Sequence, residues 1–131
     1  MPDRVHGALF ALSDASIFAT VTGNGPPLLL LHGFPETHLM WRDIAPLLSI
    51  RFTVVCADLR GYGSSSCALT ASDPLAYSKR ALAKDMIELM AKLGFGHFMV
   101  GGHDRGGRVA YRMALDHPGL IEKLAVLDIV P

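Results

Sequence analysis

The stretch that most constrains the fold is a run of glycines around Asp104, between an apolar segment and an amphipathic one. Residues 98–100 have the composition of a buried strand and residues 108–117 have the pattern of a helix, which places Asp104 on the sharp turn between them. Gly102 and Gly106 lack the Cβ atoms that would collide where a strand and a helix approach closely, and they tolerate strained backbone angles. The sequence therefore predicts a strand, a tight turn and a helix, with a carboxylate at the turn.

The residue at this turn indicates the chemistry. Esterases and lipases carry Gly-x-Ser-x-Gly at such a turn, whereas this chain has Gly-x-Asp-x-Gly. A carboxylate is ionised at neutral pH and can attack an sp3 carbon that carries a leaving group. The ester that forms must then be hydrolysed, which needs a histidine base and hydrogen-bond donors for the oxyanion. The alternative is that Asp104 only caps the following helix, a role that aspartate fills well.

Strands and helices alternate along the rest of the chain. Strands are predicted at residues 15–22, 28–31, 52–57 and 124–127, in addition to the one before Asp104. One helix is predicted over residues 40–48, with Met40, Ile44, Leu47 and Leu48 packed on the sheet, and another from about Ser78 to Gly94. This alternation predicts an α/β fold with a mainly parallel, doubly wound sheet.

Composition favours small-molecule chemistry in one domain. The 131 residues are half hydrophobic and 18% charged, with a net charge of +0, so we expect no nucleic-acid partner and no membrane partner. The longest apolar run, residues 28–31, is far too short to span a bilayer, and the N-terminus has no signal-peptide pattern. Cys56 and Cys67 lack the spacing of a disulfide framework or metal site. We therefore expect a cytoplasmic protein that uses no metal and no cofactor.

Four motifs together resemble the α/β-hydrolase fold superfamily and, within it, the haloacetate (fluoroacetate) dehalogenases. They are HGFPE at residues 32–36, DLRGYGS at 58–64, GHDRGGRVAYR at 102–112 and LDIVP at 127–131, the last two being the more specific. The resemblance runs through nearly the whole chain. It implies a reaction in which a haloacetate and water give glycolate and halide through an aspartyl-ester intermediate.

The resemblance also implies roles for five residues. Asp104 is the nucleophile, Asp128 is the acid that orients the catalytic histidine, and Arg105 and Arg108 bind the carboxylate of a small-molecule substrate. The backbone N–H groups of Phe34 and Arg105 donate hydrogen bonds to the oxyanion. Two cations on one face at the start of a helix are unfavourable without an anion, which independently supports the arginine roles. The alternatives are that the arginines pair with surface carboxylates and that Asp128 is a turn residue at the end of a strand.

The family also has parts that this chain lacks. There, a cap domain follows the strand that ends at Asp128, the catalytic histidine follows the last strand, and no histidine of this chain stands at that position. We therefore expect residues 1–131 to be the N-terminal part of a single α/β-hydrolase core domain, truncated before the cap domain and last strands. The mean hydropathy of +0.34 is high for a short domain and suggests that apolar surface is exposed. We expect a complementary C-terminal segment or a homodimer partner to cover that surface.

Two other functions remain open at this point. An epoxide hydrolase uses the same aspartate and ester, although such relatives usually carry Trp after the nucleophile, where this chain has Arg105. An inactive fragment or assembly half would follow from the missing histidine. Near the predicted site, we expect His32 and His103 to make loop hydrogen bonds, and Asp58 and Arg60 to tie their own loop together.

Overall fold

The computed structural model describes residues 6–67 and 75–129, which form one mixed sheet with helices on both faces. The strands are β1 (His6–Ala11), β2 (Ala15–Thr22), β3 (Pro27–Leu31), β4 (Thr53–Ala57), β5 (Ser66–Cys67), β6 (Phe98–His103) and β7 (Ile121–Leu127). The helices are a 3-10 helix (His38–Trp41), α1 (Ala45–Leu48), α2 (Lys79–Lys92) and α3 (Arg105–Asp116). Within the described ranges, no helix has the length and apolar character needed to cross a membrane.

The sheet has a parallel half and an antiparallel half. The strand order is β1-β2-β4-β3-β6-β7, and β5 pairs with β2. β3 is parallel to β4 and β6, and β6 is parallel to β7, whereas every pairing of β2 is antiparallel. The predicted α/β class is confirmed, and the carboxyl ends of β3, β4, β6 and β7 lie along one edge, where open α/β sheets place their ligands.

The two faces of the parallel strands bury alternate side chains. Leu29 and Leu31 of β3 pack in the larger core against α2 and α3, while Leu30 packs on the opposite face with Trp41 and Cys56. This alternation follows from the two-residue period of a strand that is covered on both sides. Burial raises the pKa of the Cys56 thiol to about 12, so this cysteine is an inert part of the core.

The continuous helix predicted over residues 40–48 is wrong, although Met40 and Leu48 pack on the sheet as predicted. A 3-10 helix at His38–Trp41 is followed by a turn and by the single-turn helix α1, which has Pro46 in its first turn. Proline has no N–H to donate, so it belongs at a helix start and interrupts a continuous helix. Ile44 and Leu47 are consequently 45% and 70% exposed rather than packed on the sheet.

Other differences concern the ends of elements. α3 begins at Arg105, three residues before the predicted start at residue 108. The earlier start was not predicted because Gly106 and Gly107, in the first turn, are poor helix formers. Neither β1 nor the two-residue strand β5, which contains Cys67, was predicted. Residues 130–131, at the end of the fourth motif, lie outside the described residues.

A buried ion pair fixes the loop after β4 to α2. Arg60 and Asp85 are each only 1% exposed, and they form two parallel hydrogen bonds, Nε to Oδ2 at 2.7 Å and Nη2 to Oδ1 at 2.6 Å. Nη1 of Arg60 donates a further bond to the carbonyl oxygen of Ala76 at 2.7 Å. This bidentate geometry confirms that Arg60 ties its loop in place, and it identifies α2 as the element to which the loop is tied.

We expect the substitution Asp85→Ala to lower the free energy of unfolding by about 3–5 kcal/mol, because it leaves the Arg60 guanidinium buried without a counter-charge. Urea unfolding followed by circular dichroism measures this change. The matched control is Lys84→Ala on the neighbouring position, where an exposed ammonium pairs with Asp14; its effect should be far smaller. Equal effects of the two substitutions would contradict the importance of the buried pair.

Candidate active site

Asp104 lies at the junction of β6 and α3 with a backbone conformation that non-glycine residues rarely adopt. Its φ and ψ angles are 53° and −120°. A Cβ atom on Gly102 would collide with the carbonyl oxygen of Gly106, and one on Gly106 would collide with the carbonyl oxygens of Leu31 and His32. The predicted close approach is therefore confirmed, but the unusual backbone angle is at Asp104 itself. Such strain is concentrated at functional sites.

The Asp104 carboxylate is hydrogen-bonded to the loop after β3. Oδ2 accepts a hydrogen bond from the Phe34 N–H at 3.2 Å, and the side chain makes no hydrogen bond that caps α3. The capping alternative is therefore wrong. The Phe34 N–H holds the pKa of Asp104 below its usual value; the Arg105 N–H and the charges of His103 and Arg105 act in the same direction.

Asp128 follows β7 at the same edge of the sheet. The N–H of Asp104 donates to the carbonyl oxygen of Leu127 at 3.0 Å, which joins the two strand ends. Oδ2 of Asp128 lies 3.2 Å from Nε2 of His103, and Nδ1 of His103 lies 3.4 Å from Oε1 of Glu36. The Asp128 side chain is 83% exposed and its φ is 59°, which also fits the alternative of a turn residue.

Arg105 and Arg108, in the first turn of α3, have no carboxylate partner within the described residues. Nη1 of Arg105 donates to the Tyr62 hydroxyl at 3.1 Å, and its guanidinium carbon lies 4.4 Å from the centroid of the Phe34 ring. Arg108 is exposed one helical turn further along α3. One turn beyond that, Arg112 pairs with Asp116 at 3.4 Å. The alternative that Arg105 and Arg108 serve surface ion pairs is therefore wrong for the part of the chain that the structure describes.

His32 supports the loop after β3 and is fully buried. Its Nε2 accepts a hydrogen bond from the Leu59 N–H at 2.9 Å, which leaves Nδ1 to donate to the Gly33 carbonyl oxygen at 2.8 Å. Burial lowers the pKa of His32, so the ring is neutral at physiological pH. The expected role of His32 in loop hydrogen bonding is confirmed, and it joins the loops that follow β3 and β4.

Asp58 makes a second link between these loops. One carboxylate oxygen, Oδ1, accepts from both the backbone N–H and Nδ1 of His38, each at 2.7 Å. The other oxygen accepts from the Ser64 N–H at 3.1 Å. The side chain is 1% exposed, so these bonds replace its hydration. Asp58 therefore ties its loop together, as expected. It also holds the start of the 3-10 helix, a contact that the sequence did not predict.

Sequence reasoning missed one charged residue near Asp104. Lys79 is the first residue of α2 and is half-buried. Burial and the nearby charges of Arg105 and Arg108 lower the pKa of Lys79, and the charge of Asp104 opposes this. Nothing in the local pattern distinguishes Lys79 from the other lysines of an amphipathic helix.

Among residues 6–67 and 75–129, no group of three or more His, Cys, Asp or Glu side chains could hold a metal ion.

Comparisons with known proteins support one family. A sequence model described as alpha/beta hydrolase fold matches residues 26–131. Fluoroacetate dehalogenase from Burkholderia sp is 57% identical over 123 residues, which are 94% of this chain and 40% of that protein. Soluble epoxide hydrolase from Corynebacterium sp. (strain C12) is 44% identical over 109 residues, which are 83% of this chain and 36% of that protein.

The solved structures agree with the sequence comparisons. A proposed alpha/beta hydrolase from Nostoc sp PCC 7120 superposes with a TM-score of 0.93 at 54% identity, over 97% of this chain and 44% of that one. The chain thus spans less than half the length of each of these relatives. The resemblance inferred from the four motifs is confirmed.

We expect the Asp104 carboxyl to titrate with a midpoint below about 3.9, the usual value for aspartate. The donors that lower its pKa favour the ionised form, so their stabilisation is present at neutral pH and is lost as the pH falls through the lowered pKa. A 13C NMR titration of labelled aspartate carboxyls measures the midpoint, and Asp104→Asn assigns the signal by removing it. A midpoint at or above the usual value would contradict the hydrogen bond from Phe34.

Proposed function

The chain belongs to the alpha/beta hydrolase fold family, and we propose that the protein it forms is a hydrolase that displaces halide from short 2-halo carboxylic acids. The observation that carries this proposal is an aspartate with a lowered pKa at the turn between β6 and α3, beside Arg105 and Arg108, which form no ion pair in the described residues. The 57% identity to a fluoroacetate dehalogenase supports the same substrate class.

The proposed first step is attack on the substrate by one oxygen of Asp104. Because Oδ2 is held by the Phe34 N–H, we assign the attack on the α-carbon to the other oxygen, Oδ1. The new carbon–oxygen bond forms as the carbon–halogen bond breaks, and the halide leaves with the bonding electron pair. With a haloacetate, the product is an ester in which an Asp104 oxygen carries a carboxymethyl group. No external base is needed, since the nucleophile is already an anion.

The arginines would counter the repulsion between two anions in this step. Both Asp104 and the substrate carboxylate are negative, and like charges at close range disfavour binding. A guanidinium offers paired N–H donors that match a carboxylate. The stacking of Arg105 on Phe34 and its bond to Tyr62 limit the positions of its guanidinium, which supports a role in orienting the substrate.

The second proposed step is hydrolysis of the ester. Water adds to the aspartyl carbonyl carbon while a base takes one of its protons. The base then gives that proton to the departing glycolate oxygen, and the second proton is lost to solvent as the carboxylate of Asp104 is restored. The N–H groups of Phe34 and Arg105 would donate to the oxyanion. We propose that Asp128 orients a histidine base contributed by a complementary C-terminal segment, in a cytoplasmic enzyme.

An epoxide hydrolase is the second candidate, favoured by the 44% identity to a soluble epoxide hydrolase. Opening of an epoxide uses the same attack by Asp104, but the leaving oxygen stays in the product and must receive a proton. Arg105 follows the nucleophile and is exposed beside it. An uncharged epoxide would gain nothing from this cation, whereas a substrate carboxylate would be attracted to it. We therefore rank the halo acid above the epoxide.

Incubation of the chain with chloroacetate should give a single carboxymethyl adduct that maps to Asp104. When residues 1–131 are tested alone, none of their histidines stands at the family's base position, so the ester should accumulate rather than hydrolyse. Intact mass spectrometry with peptide mapping measures the adduct, and Asp104→Asn is the control that should abolish it. An adduct confined to cysteine or histidine side chains in both proteins would argue against Asp104 as the nucleophile.

Styrene oxide should modify Asp104 more slowly than chloroacetate at equal concentration, because it lacks the carboxylate that the cations attract. Parallel reactions followed by intact mass give the two rates. The variant Arg105→Trp should lose reactivity mainly toward chloroacetate. A hydroxyalkyl adduct at Asp104 without any carboxymethyl adduct would instead favour the epoxide hydrolase.

A further inference from the structure

The loop after β4 brings Tyr62 to the residue that follows the nucleophile. The Tyr62 hydroxyl oxygen accepts a hydrogen bond from Nη1 of Arg105 at 3.1 Å, although the two residues are 43 positions apart in the sequence. The Tyr62 ring meets the ring of His32 edge-on, with centroids 5.1 Å apart, and that of Phe34 in the same way at 6.3 Å. Such edge-to-face contacts are favourable, so they hold the ring that presents the hydroxyl.

Buried polar contacts hold the loop on both sides of Tyr62. Before it, the Arg60 guanidinium is 1% exposed and forms two hydrogen bonds to the Asp85 carboxylate. After it, the Ser64 N–H donates to the buried Asp58 carboxylate at 3.1 Å. Breaking any of these bonds would leave a buried polar or charged group without a partner, which is unfavourable. The backbone that carries Tyr62 therefore has one preferred position, and its hydroxyl is a fixed acceptor.

A hydroxyl partner orients a guanidinium without neutralising its charge. A carboxylate partner would cancel that charge, as Asp116 does for Arg112. In the part of the chain that the structure describes, the bond to Tyr62 is the only hydrogen bond of the Arg105 side chain. Its Nε and Nη2 therefore keep N–H groups for a carboxylate. The ring of Phe34, with its centroid 4.4 Å from the guanidinium carbon, covers one face of the same group.

We propose that Tyr62 is a positioning residue for substrate recognition, which holds the Arg105 guanidinium so that its Nε and Nη2 form a paired contact with the substrate carboxylate. This role rests on the proposed function, in which Arg105 binds that carboxylate. Fixing the guanidinium in advance lowers the conformational entropy lost on binding. It also gives the loop after β4 a part in substrate selection, alongside the loop after β3 and the turn before α3.

The test compares chloroacetate with chloroacetamide, which has the same leaving group and nearly the same size but no charge. Peptide mapping after timed incubations gives the rate at which each reagent modifies Asp104, and the ratio of the two rates reports the preference for a carboxylate. In Tyr62→Phe, which keeps the ring, this ratio should fall about fivefold, as for the loss of one hydrogen bond of ordinary strength. The rate with chloroacetamide should stay the same.

The matched control is Tyr77→Phe, which should leave the ratio unchanged. The Tyr77 ring lies against Gly61 of the same loop, but its hydroxyl makes no hydrogen bond within the described ranges. In an Arg105→Gln background, Tyr62→Phe should have no effect on the ratio, because a positioning residue acts only through the group that it holds. A further fivefold fall in that background would overturn the positioning role.

The remaining outcomes separate this inference from the proposed function. An unchanged ratio in Tyr62→Phe, with Asp104 still modified, would overturn the role of Tyr62 and leave the proposed function standing. If neither reagent modifies Asp104 in the unsubstituted chain, the proposed function fails, and NMR of 15N-labelled arginine decides on Tyr62 alone. Rotation of the guanidinium about the Nε–Cζ bond should be slower at Arg105 than at the exposed Arg108, and Tyr62→Phe should remove the difference. Equal rates in the unsubstituted chain would overturn the inference.

Discussion

The start of α3 crosses the ends of β3 and β6 at a distance that leaves no room for side chains. Cβ atoms on Gly102 and Gly106 would meet backbone atoms, which cannot move aside as a flexible side chain can, and one on Gly33 would lie 2.7 Å from Cβ of Asp104. This steric constraint determines where the Asp104 carboxylate lies. Because the loop after β3 comes this close, the Phe34 N–H reaches the carboxylate, and the unusual backbone angle at Asp104 is maintained by packing on both sides.

Buried polar groups, rather than apolar packing, hold the loops of the site. His32, Asp58 and Arg60 are each at most 1% exposed, and every one of them has hydrogen-bond partners on another segment. Removing such groups from water is unfavourable unless each donor and acceptor is satisfied. Since their partners lie on separate segments, these bonds fix the loops relative to one another. The donors around Asp104 are therefore preorganised before any substrate binds.

Local patterns predicted the α/β class, the carboxylate at the turn and the strand that ends before Asp128, because each depends on neighbours in sequence. The start of α3 escaped prediction because Gly106 and Gly107 have poor helix propensity, and close packing on β3 overrides it. The partner of Arg60 and the position of Lys79 depend on how α2 packs in three dimensions. Neither is encoded in a local pattern. The roles of Asp128 and Arg108 came from family resemblance, since periodicity alone says nothing about chemistry.

The lowered pKa of Asp104 has a consequence for how such a site would accelerate the proposed reaction. A carboxylate stabilised by N–H donors is a weaker base, and nucleophilicity falls together with basicity. The rate must therefore come from bringing the electrophile to a fixed oxygen and from offsetting charge. The Phe34 N–H binds Oδ2 of Asp104 before attack and would bind the oxyanion that forms on the same oxygen after it, so this donor requires no rearrangement between the two steps. Positive charge at the start of α3 is then the part of the structure that would select the substrate.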